Sequence, residues 1–92
     1  MSETRYEWDD GNLDHIARHS IEDFEAEEAL EDSKGVTLGA YNKGREKRYG
    51  VIGATEAGRI LSVFYTFRSG RLRVATARDA TPSEKQRYRK RK

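Results

Sequence analysis

The feature that most constrains the fold is a change in the spacing of apolar residues near position 35. Before it, apolar residues recur at helical spacing. After the turn "SKG" (residues 33–35), they alternate with polar ones in four runs joined by short turns. A period near 3.6 indicates helices that bury one face, and a period of two indicates strands. Because hairpin loops are usually two to five residues long, the four runs predict an antiparallel meander.

The four runs differ in how apolar they are. Their predicted ranges are Val36–Asn42, Lys47–Thr55, Arg59–Phe67 and Arg71–Arg78. The third run, "RILSVFYTF", is the most apolar, so we predict that it lies centrally and is covered on both faces. Near the start of the chain, Tyr6 and Trp8 alternate with polar residues, which predicts a short edge strand within Arg5–Asp10.

Two helices are predicted between the edge strand and the meander. Asp9 or Asp10 is suited to cap a first helix over residues 11–19, because a carboxylate accepts hydrogen bonds from exposed N–H groups. Ser20, with an acid three residues later, marks the start of a second helix over residues 21–31. The outer face of that helix is densely acidic, which indicates either a solvated surface or a docking face for a basic partner.

The last helix has the most specific start signal in the chain, "TPSE". Thr81 is a suitable cap, Pro82 stands at the first helical position, and Glu84 completes a capping box. The basic tail over residues 88–92 is expected to fray. The order β-α-α-β-β-β-β-α therefore predicts an α+β fold, with two N-terminal helices and a C-terminal helix on a curled antiparallel sheet.

Length and composition narrow the possible classes. Ninety-two residues predict a single domain, residues 1–92, with a thin core. The chain has no Cys and only two His, which argues against a disulfide framework or a zinc centre, and no metal or other cofactor is expected. No apolar run approaches the length of a membrane span, and the start has no signal-peptide pattern, so a cytoplasmic protein is expected.

The charge is divided unevenly along the chain. Residues 1–35 carry three Lys and Arg against twelve Asp and Glu, whereas residues 36–92 carry fifteen against four. Such asymmetry suggests one acidic and one basic surface, and the basic one is suited to nucleic acid. The alternative is a domain whose acidic helices only offset its basic sheet, and charge alone does not decide between the two.

Arginines stand on strands that should be forming a core. Strict alternation in "RLRVATAR" directs one set of side chains to the core face, Leu72, Val74 and Thr76. It directs another set to the opposite face, Arg71, Arg73, Ala75 and Ala77. The neighbouring strands add further candidates, Arg48, Tyr49, Tyr65 and Arg68. Guanidinium groups bind phosphate through paired hydrogen bonds and aromatic rings stack on bases, so the sheet is a candidate anion site. The alternative is that each arginine pairs with an acid of the helices.

Cleavage of RNA is a reaction that needs little more than this set. A 2′-OH attacks the adjacent phosphate when a base takes its proton, a cation stabilises the oxyanion and an acid protonates the leaving 5′-oxygen. The arginines meet the second need. The base and the acid can be a tyrosine or a histidine. His15 and His19 lie on one face of the first helix, although a helical histidine is more often structural.

Three longer segments point to one family. They are "YEWDDGNLDHIARHSIEDFEAEEAL" (residues 6–30), "GRILSVFYTFR" (58–68) and "RLRVATARDATPSEKQRY" (71–88). The first resembles the aromatic-Trp-Asp strand, the Asn-Leu pair and the Phe-Glu-Glu-Ala helix that open the BrnT toxins of bacterial type II toxin–antitoxin systems. The second is similar to their Gly-Arg-Leu-x-Val-x-Tyr-Thr-x-Arg strand, and the third to their Arg-x-Arg-Ile-x-Ser-Ala-Arg ending. The matches occur in the right order over nearly the whole chain.

This resemblance implies a RelE-like ribonuclease fold, metal-independent cleavage of RNA and arrest of translation. It also implies neutralisation by a cognate BrnA-type antitoxin, with DNA contacted only indirectly, when the complex represses its own promoter. The family's basic and aromatic positions correspond to candidate catalytic residues, namely Arg48, Arg68, Arg73, Arg78, His19, Tyr65 and Tyr88. Other basic residues are candidates for RNA binding, namely Arg59, Arg71, Lys85, Arg87 and Arg89.

Two other functions remain consistent with the sequence. A non-catalytic nucleic-acid-binding module would use the same arginines for phosphate contacts, and its binding would weaken steeply with salt while RNA stayed intact. A protein-interaction subunit would neither bind nor cleave RNA at low salt. The sequence favours the endoribonuclease and leaves open its cut-site preference, its dependence on the ribosome and the residue that moves each proton.

Overall fold

The computed structural model describes residues 5–90, and its elements follow the predicted order. They are β1 (Tyr6–Glu7), α1 (Asp10–Ala17), α2 (Asp23–Leu30), β2 (Val36–Lys43), β3 (Glu46–Ala54), β4 (Ile60–Arg68), β5 (Arg71–Asp79) and α3 (Pro82–Arg89). The predicted α+β class is therefore confirmed. In residues 5–90, no helix is long and apolar enough to cross a bilayer.

The five strands form one sheet in the order β1-β5-β4-β3-β2. Strands β2 to β5 are an antiparallel meander with β4 in the middle, as the sequence predicts. The sheet is nevertheless mixed, because β1 pairs in parallel with β5, placing Tyr6 opposite Leu72 and Glu7 opposite Arg73. Most of the chain lies between these two strands, which provides the long crossover that a parallel pair needs.

The helices cover one face of the sheet and one end of the other. Leu61 and Val63 of β4 are fully buried with residues of α1 and α2, and we call their side of the sheet the helix-pair face. Ser62, Phe64 and Thr66 alternate with them and lie on the opposite side, which we call the arginine face. Helix α3 covers one end of the arginine face, where Tyr88, Ile52 and Ala80 form a second buried cluster.

Strand β5 does not alternate regularly. Val74 and Thr76 pair with successive residues of β4, so Ala75 between them is the extra residue of a β-bulge. Val74 and Ala77 are both fully buried in the same cluster. The predicted alternation is therefore right as far as Val74 and wrong beyond it: Ala77 lies in the core, and Thr76 lies on the arginine face.

This bulge determines which arginines share a face. Arg73 lies opposite Thr66 before the bulge, and Arg78 lies opposite Ser62 after it. Ser62 and Thr66 are four residues apart on a regular strand, so they share a face. Arg73 and Arg78 are five residues apart, and an uninterrupted strand would send them to opposite faces. The extra residue brings both guanidinium groups to the arginine face.

The first two helices are shorter than predicted. Helix α1 is capped by Asp9 and ends at Ala17, so His19 lies beyond it. Ser20 has a left-handed backbone with φ of 60°, which interrupts the chain between the helices. The predicted start at Ser20 is wrong for this reason. Glu22 is the N-cap of α2, and its backbone N–H donates to a carboxylate one turn on.

Helix α3 confirms the predicted capping box. The Glu84 N–H donates to Thr81 Oγ1 at 3.2 Å, and the Thr81 N–H donates to Glu84 Oε1 at 2.9 Å. Residues 88 and 89 of the tail that is expected to fray belong to the helix, which continues to Arg89, and Tyr88 packs in the core. Residues 91–92 of the expected frayed tail lie outside the described residues.

Candidate active site

A polar cleft of about 330 Å³ opens on the arginine face, beside the start of α1. Three adjacent strands each contribute a guanidinium group to it, Arg48 from β3, Arg68 from β4 and Arg73 from β5. His15 from α1 and Glu46 from β3 also line it. The structure thus brings together three of the predicted catalytic arginines.

Arg73 is held by the residue that caps α1. Its Nη1 donates to Asp9 Oδ2 at 2.9 Å and its Nη2 donates to Asp9 Oδ1 at 3.3 Å, and its side chain is only 17% exposed. The hydrogen bonds from Arg73 lower the pKa of the Asp9 carboxyl below its usual range. One carboxylate therefore fixes both the start of α1 and the guanidinium on β5.

Glu7 lies between two guanidinium groups without hydrogen bonding to either. Its Oε2 is 3.9 Å from Arg68 Nη1, and its Oε1 is 4.0 Å from Arg73 Nη1. Among the described residues, the buried Oε1 has no hydrogen-bond partner. At such distances the attraction is electrostatic only, so the N–H groups of Arg68 and Arg73 are not consumed by Glu7.

Arg48 is fixed from its own strand. Its Nε donates to Glu46 Oε1 at 2.8 Å, and this contact raises the pKa of Arg48 above its ordinary value, with a smaller contribution from Tyr41. Tyr41 lies directly opposite Arg48 in the β2–β3 pair. The positions of this guanidinium and of the Glu46 carboxylate are therefore coupled.

Asn12 connects α1 to the bulged strand. Its side-chain amide donates to the carbonyl of Val74 at 3.1 Å and to that of Glu7 at 3.0 Å, and the residue is buried. His15 follows Asn12 by three residues, so the two side chains lie on one side of the helix. The amide contacts thereby turn the imidazole of His15 towards the cleft.

His19, the histidine in the predicted catalytic set, is not among the residues that line this cleft. It lies beyond the end of α1 close to Asp79, and its backbone carbonyl accepts a hydrogen bond from Arg59. The ring centroids of His15 and His19 are 6.4 Å apart. Both histidines are candidates from the sequence. The signal that favours His15 is its three-residue spacing from Asn12, because this spacing puts both side chains on the side of α1 that lines the cleft.

Arg78 lies on the arginine face, outside the lining of the cleft. Its Nη1 donates to Glu84 Oε1 at 2.8 Å, and the Ser62 hydroxyl donates to the same oxygen at 2.7 Å. The hydrogen bond from Arg78, followed by those from the Thr81 N–H and the Ser62 hydroxyl, lowers the pKa of Glu84 to about 2. The guanidinium also stands 5.3 Å from the ring centroid of Phe64. The first turn of α3 thus anchors Arg78.

The two tyrosines of the predicted catalytic set lie elsewhere. Tyr65 is on the helix-pair face, where its ring stacks on Tyr49 with 5.5 Å between centroids. Tyr88 is the buried residue of α3, and its hydroxyl donates to Asp32 Oδ2. The sequence alternation places Tyr65 correctly with Val63, and the register shows that this is the face opposite Arg48 and Arg73.

Most of the predicted RNA-binding residues are engaged with the protein itself. Arg59 donates to Asp79 at 2.8 Å and to Glu25 at 3.3 Å, so it joins β4 to the end of β5 and to α2. Arg71 donates to the carbonyl of Tyr6, and Arg87 to that of Thr37. The other two candidates, Lys85 and Arg89, lie on α3.

The fold and the cleft define a class: an α+β protein with a mixed sheet, one face of which presents a guanidinium-lined cleft. Residues 8–84 match the family described as "Ribonuclease toxin, BrnT, of type II toxin-antitoxin system", and the chain belongs to that family. No curated protein matches the chain. Within residues 5–90, no three His, Cys, Asp or Glu side chains are grouped so as to hold a metal ion.

Proposed function

We propose that this protein is an endoribonuclease that cleaves RNA by attack of a 2′-OH on the adjacent phosphate, without a metal ion. The observation that carries the proposal is the convergence of Arg48, Arg68, Arg73 and His15 in one cleft. Membership of a ribonuclease toxin family supports the reaction class. The side chains that line the cleft are the candidates for each role in this reaction.

In the proposed site, Arg73 binds the scissile phosphate. A guanidinium group has five N–H donors, and Asp9 uses only one on each Nη atom, so others remain for a phosphate oxygen. The pairing with Asp9 orients Arg73 before the substrate arrives, which is the arrangement that best stabilises a developing oxyanion. Arg68, 53% exposed at the rim, adds a more mobile positive charge.

The two proton transfers are assigned to the remaining titratable groups of the cleft. Glu46 accepts the proton of the 2′-OH, because its contact with Arg48 is made through Oε1 and the second carboxylate oxygen can accept from a substrate hydroxyl. His15 protonates the leaving 5′-oxygen, because imidazole exchanges protons near neutral pH. Neither Tyr65 nor Tyr88 is required in this scheme, and His19 has no part in it.

We further propose that the protein acts as the toxin of a toxin–antitoxin pair. Cleavage of RNA in the cytoplasm arrests translation, and a cognate antitoxin of BrnA type neutralises the protein. DNA is contacted only through that antitoxin. A type II toxin–antitoxin family implies a protein partner, which supports the antitoxin. The relation of the fold to the RelE-like ribonucleases belongs to the same proposal.

The test is incubation of the purified protein with end-labelled RNA, with and without EDTA, followed by mapping of the new ends. We expect cleavage that survives EDTA and leaves a 2′,3′-cyclic phosphate or a 3′-phosphate. RNA that stays intact, both free and on ribosomes, would sink the proposal. Cleavage abolished by EDTA and restored by a divalent ion would overturn its metal-independent part.

The same incubation separates the two alternative functions. A non-catalytic RNA-binding module would retain RNA on a filter at low salt and leave it intact, and its affinity would fall steeply as salt rises. A protein-interaction subunit would neither retain nor cleave RNA. Both outcomes contradict the proposed nuclease activity.

A further inference from the structure

We infer that Tyr41, supported by Phe64, is a base-stacking residue that holds a nucleobase beside the arginine cleft. The inference rests on the proposed function for the identity of the ligand as RNA. Its structural basis is separate, because it concerns a part of the arginine face that contributes no residue to the lining of the cleft.

The strand register places both rings beside the cleft. Tyr41 lies directly opposite Arg48, and Phe64 lies directly opposite Gly50, which is two residues from Arg48 on β3. Phe64 is also two residues from Thr66, which lines the cleft. Cross-strand partners and residues two apart share a face, so Tyr41 and Phe64 continue the cleft across the sheet.

The two rings form an edge-to-face pair in which the Tyr41 ring remains exposed to solvent. Their centroids are 6.4 Å apart with an interplanar angle of 72°, so the edge of one ring meets the face of the other. Tyr41 is 44% exposed although it is a large aromatic residue in a strand. A ring that is fixed by a neighbour and exposed to solvent is a suitable platform for a planar ligand.

The missing side chain of Gly50 leaves room for the Phe64 ring beneath this pair. A Cβ atom at Gly50 would come within 2.9 Å of Phe64 Cε1 and within 3.1 Å of the Leu38 Cβ. Any side chain at position 50 would therefore displace the ring. Gly50 allows Phe64 to lie close to the backbone, where it supports Tyr41 rather than projecting into solvent.

Positive charge stands on both sides of the platform, which favours RNA over an uncharged ligand. The Arg78 guanidinium is 5.3 Å from the Phe64 centroid, and Arg48 lies directly opposite Tyr41 in the β2–β3 pair. Successive phosphates of a strand lie on either side of each base. An aromatic platform between two arginines, continuous with a phosphate cleft, matches the way proteins bind single-stranded nucleic acid.

The chain offers a matched control on the other side of the sheet. Phe67 is a 59% exposed aromatic residue that touches Tyr49 and Tyr65 on the helix-pair face. Its replacement removes an exposed ring of similar size from the same strand as Phe64. We expect it to leave RNA binding unchanged, because that face is turned away from the cleft.

The experiment uses short RNAs that carry 2-aminopurine at successive positions and a 2′-fluoro sugar at every nucleotide, which removes every attacking 2′-OH and blocks cleavage. Fluorescence titration gives the affinity and reports stacking of the base. We expect Tyr41→Ala to weaken binding about 5- to 100-fold at one position, as for the loss of one stacked base. We expect Tyr41→Phe to keep the fluorescence change of stacking, because the ring is retained, and Phe67→Ala to bind like the wild type.

An abasic RNA tests whether the lost affinity comes from stacking. With an abasic site at the responsive position, wild type and Tyr41→Ala should bind equally, because the interaction is absent in both. A penalty for Tyr41→Ala that persists with the abasic RNA, or one matched by Phe67→Ala, would overturn the inference. Phe64→Leu should show a smaller loss than Tyr41→Ala, since it removes only the support.

The outcomes separate this inference from the proposed function. If the wild type leaves ordinary RNA intact while Tyr41→Ala loses the fluorescence change, the nuclease proposal fails and the stacking platform stands. If the wild type cleaves RNA while Tyr41→Ala binds and stacks as before, the platform fails and the nuclease stands.

Discussion

At the scale of single residues, the cleft arginines are held in place by carboxylates that do not use all of their donors. Asp9 fixes Arg73, and Glu46 fixes Arg48. A group that is already oriented loses little entropy when the substrate binds, so its charge acts mainly on the transition state. The acids in the cleft therefore support the arginines as much as they neutralise them.

Replacement of Arg73 tests this arrangement. We expect Arg73→Ala to lower kcat for RNA cleavage by about 100-fold or more, because a preorganised donor to the oxyanion is lost. Arg73→Lys should recover only part of the rate, since an ammonium group lacks the planar fork. Rates at saturating RNA, with thermal melting as a check on folding, measure both.

Arg18→Ala is the control for Arg73→Ala, because it removes the same charge from an exposed position at the end of α1 that belongs to neither predicted set. Its kcat should match the wild type. Equal losses of kcat in the two variants would mean that total charge, and not the geometry of the cleft, governs the reaction.

The two histidines make a second pair of variants. We expect His15→Ala to slow cleavage about 100-fold, because the leaving 5′-oxygen loses its proton donor. RNA with a 5′-phosphorothiolate at the cut position has a leaving group that needs no proton, so it should restore most of the rate. His19→Ala should cleave both substrates normally. An unrescued His15→Ala would contradict the assigned role.

At the scale of elements, a local sequence signal determines where α3 begins, whereas contacts between distant residues determine the bulge in β5. The box "TPSE" starts α3 as predicted, because Thr81 and Glu84 bond to each other's backbone within one turn. The bulge at Ala75 gives no such local signal. It arises where β5 must place Val74 and Ala77 in one core, and this depends on the partners across the sheet.

The start of α3 predicts a dependence of stability on pH. Glu84 has a pKa of about 2 in the folded protein, below its ordinary value of 4.5, so the folded state binds fewer protons between these values. The stability it contributes is present above about pH 4.5 and is lost as the pH falls towards 2. After allowance for screening by solvent, the contribution of Glu84 to the free energy of unfolding is about 1–2 kcal/mol.

Urea unfolding between pH 2 and 6 measures this contribution. We expect Glu84→Gln to be less stable than the wild type at pH 6 and to approach it near pH 2. Glu56→Gln removes an equal charge from an exposed turn residue and should keep the wild-type profile. A constant difference between Glu84→Gln and the wild type at every pH would contradict the assignment.

At the scale of the whole molecule, some acidic side chains of α2 form ion pairs or hydrogen bonds with residues of the sheet and its edge. Arg59 pairs with Glu25 of α2, and the carboxylates of Glu27 and Glu31 accept hydrogen bonds from Trp8 and Tyr6. Burial, reinforced by Glu31, raises the pKa of Tyr6 to about 12. Part of the acidic helix therefore holds the sheet edge, while the arginine cleft remains on the opposite face.

Helix α2 lies close to the sheet at Gly53 of β3. A Cβ atom at Gly53 would lie 2.0 Å from the carbonyl oxygen of Ala29. We expect Gly53→Ala to lower the free energy of unfolding by at least about 2 kcal/mol, because the helix backbone must move away. Urea denaturation measures it.

A second variant distinguishes backbone from side-chain crowding at this contact. Since the clash of Gly53→Ala is with backbone atoms, adding Ala29→Gly should not restore stability. Recovery in the double variant would show that the methyl group of Ala29, and not the carbonyl, is the obstacle.

The sequence by itself determined the order of elements, the central position of β4 and the arginines of the cleft, because periodicity, turns and capping act over a few residues. Only the tertiary structure decided which of these arginines meet. The bulge at Ala75 put Arg73 and Arg78 on one face, the amide of Asn12 brought His15 rather than His19 to the cleft, and the strand register placed Tyr65 on the other face. Each of these depends on contacts between residues far apart in the chain, which a local pattern does not encode.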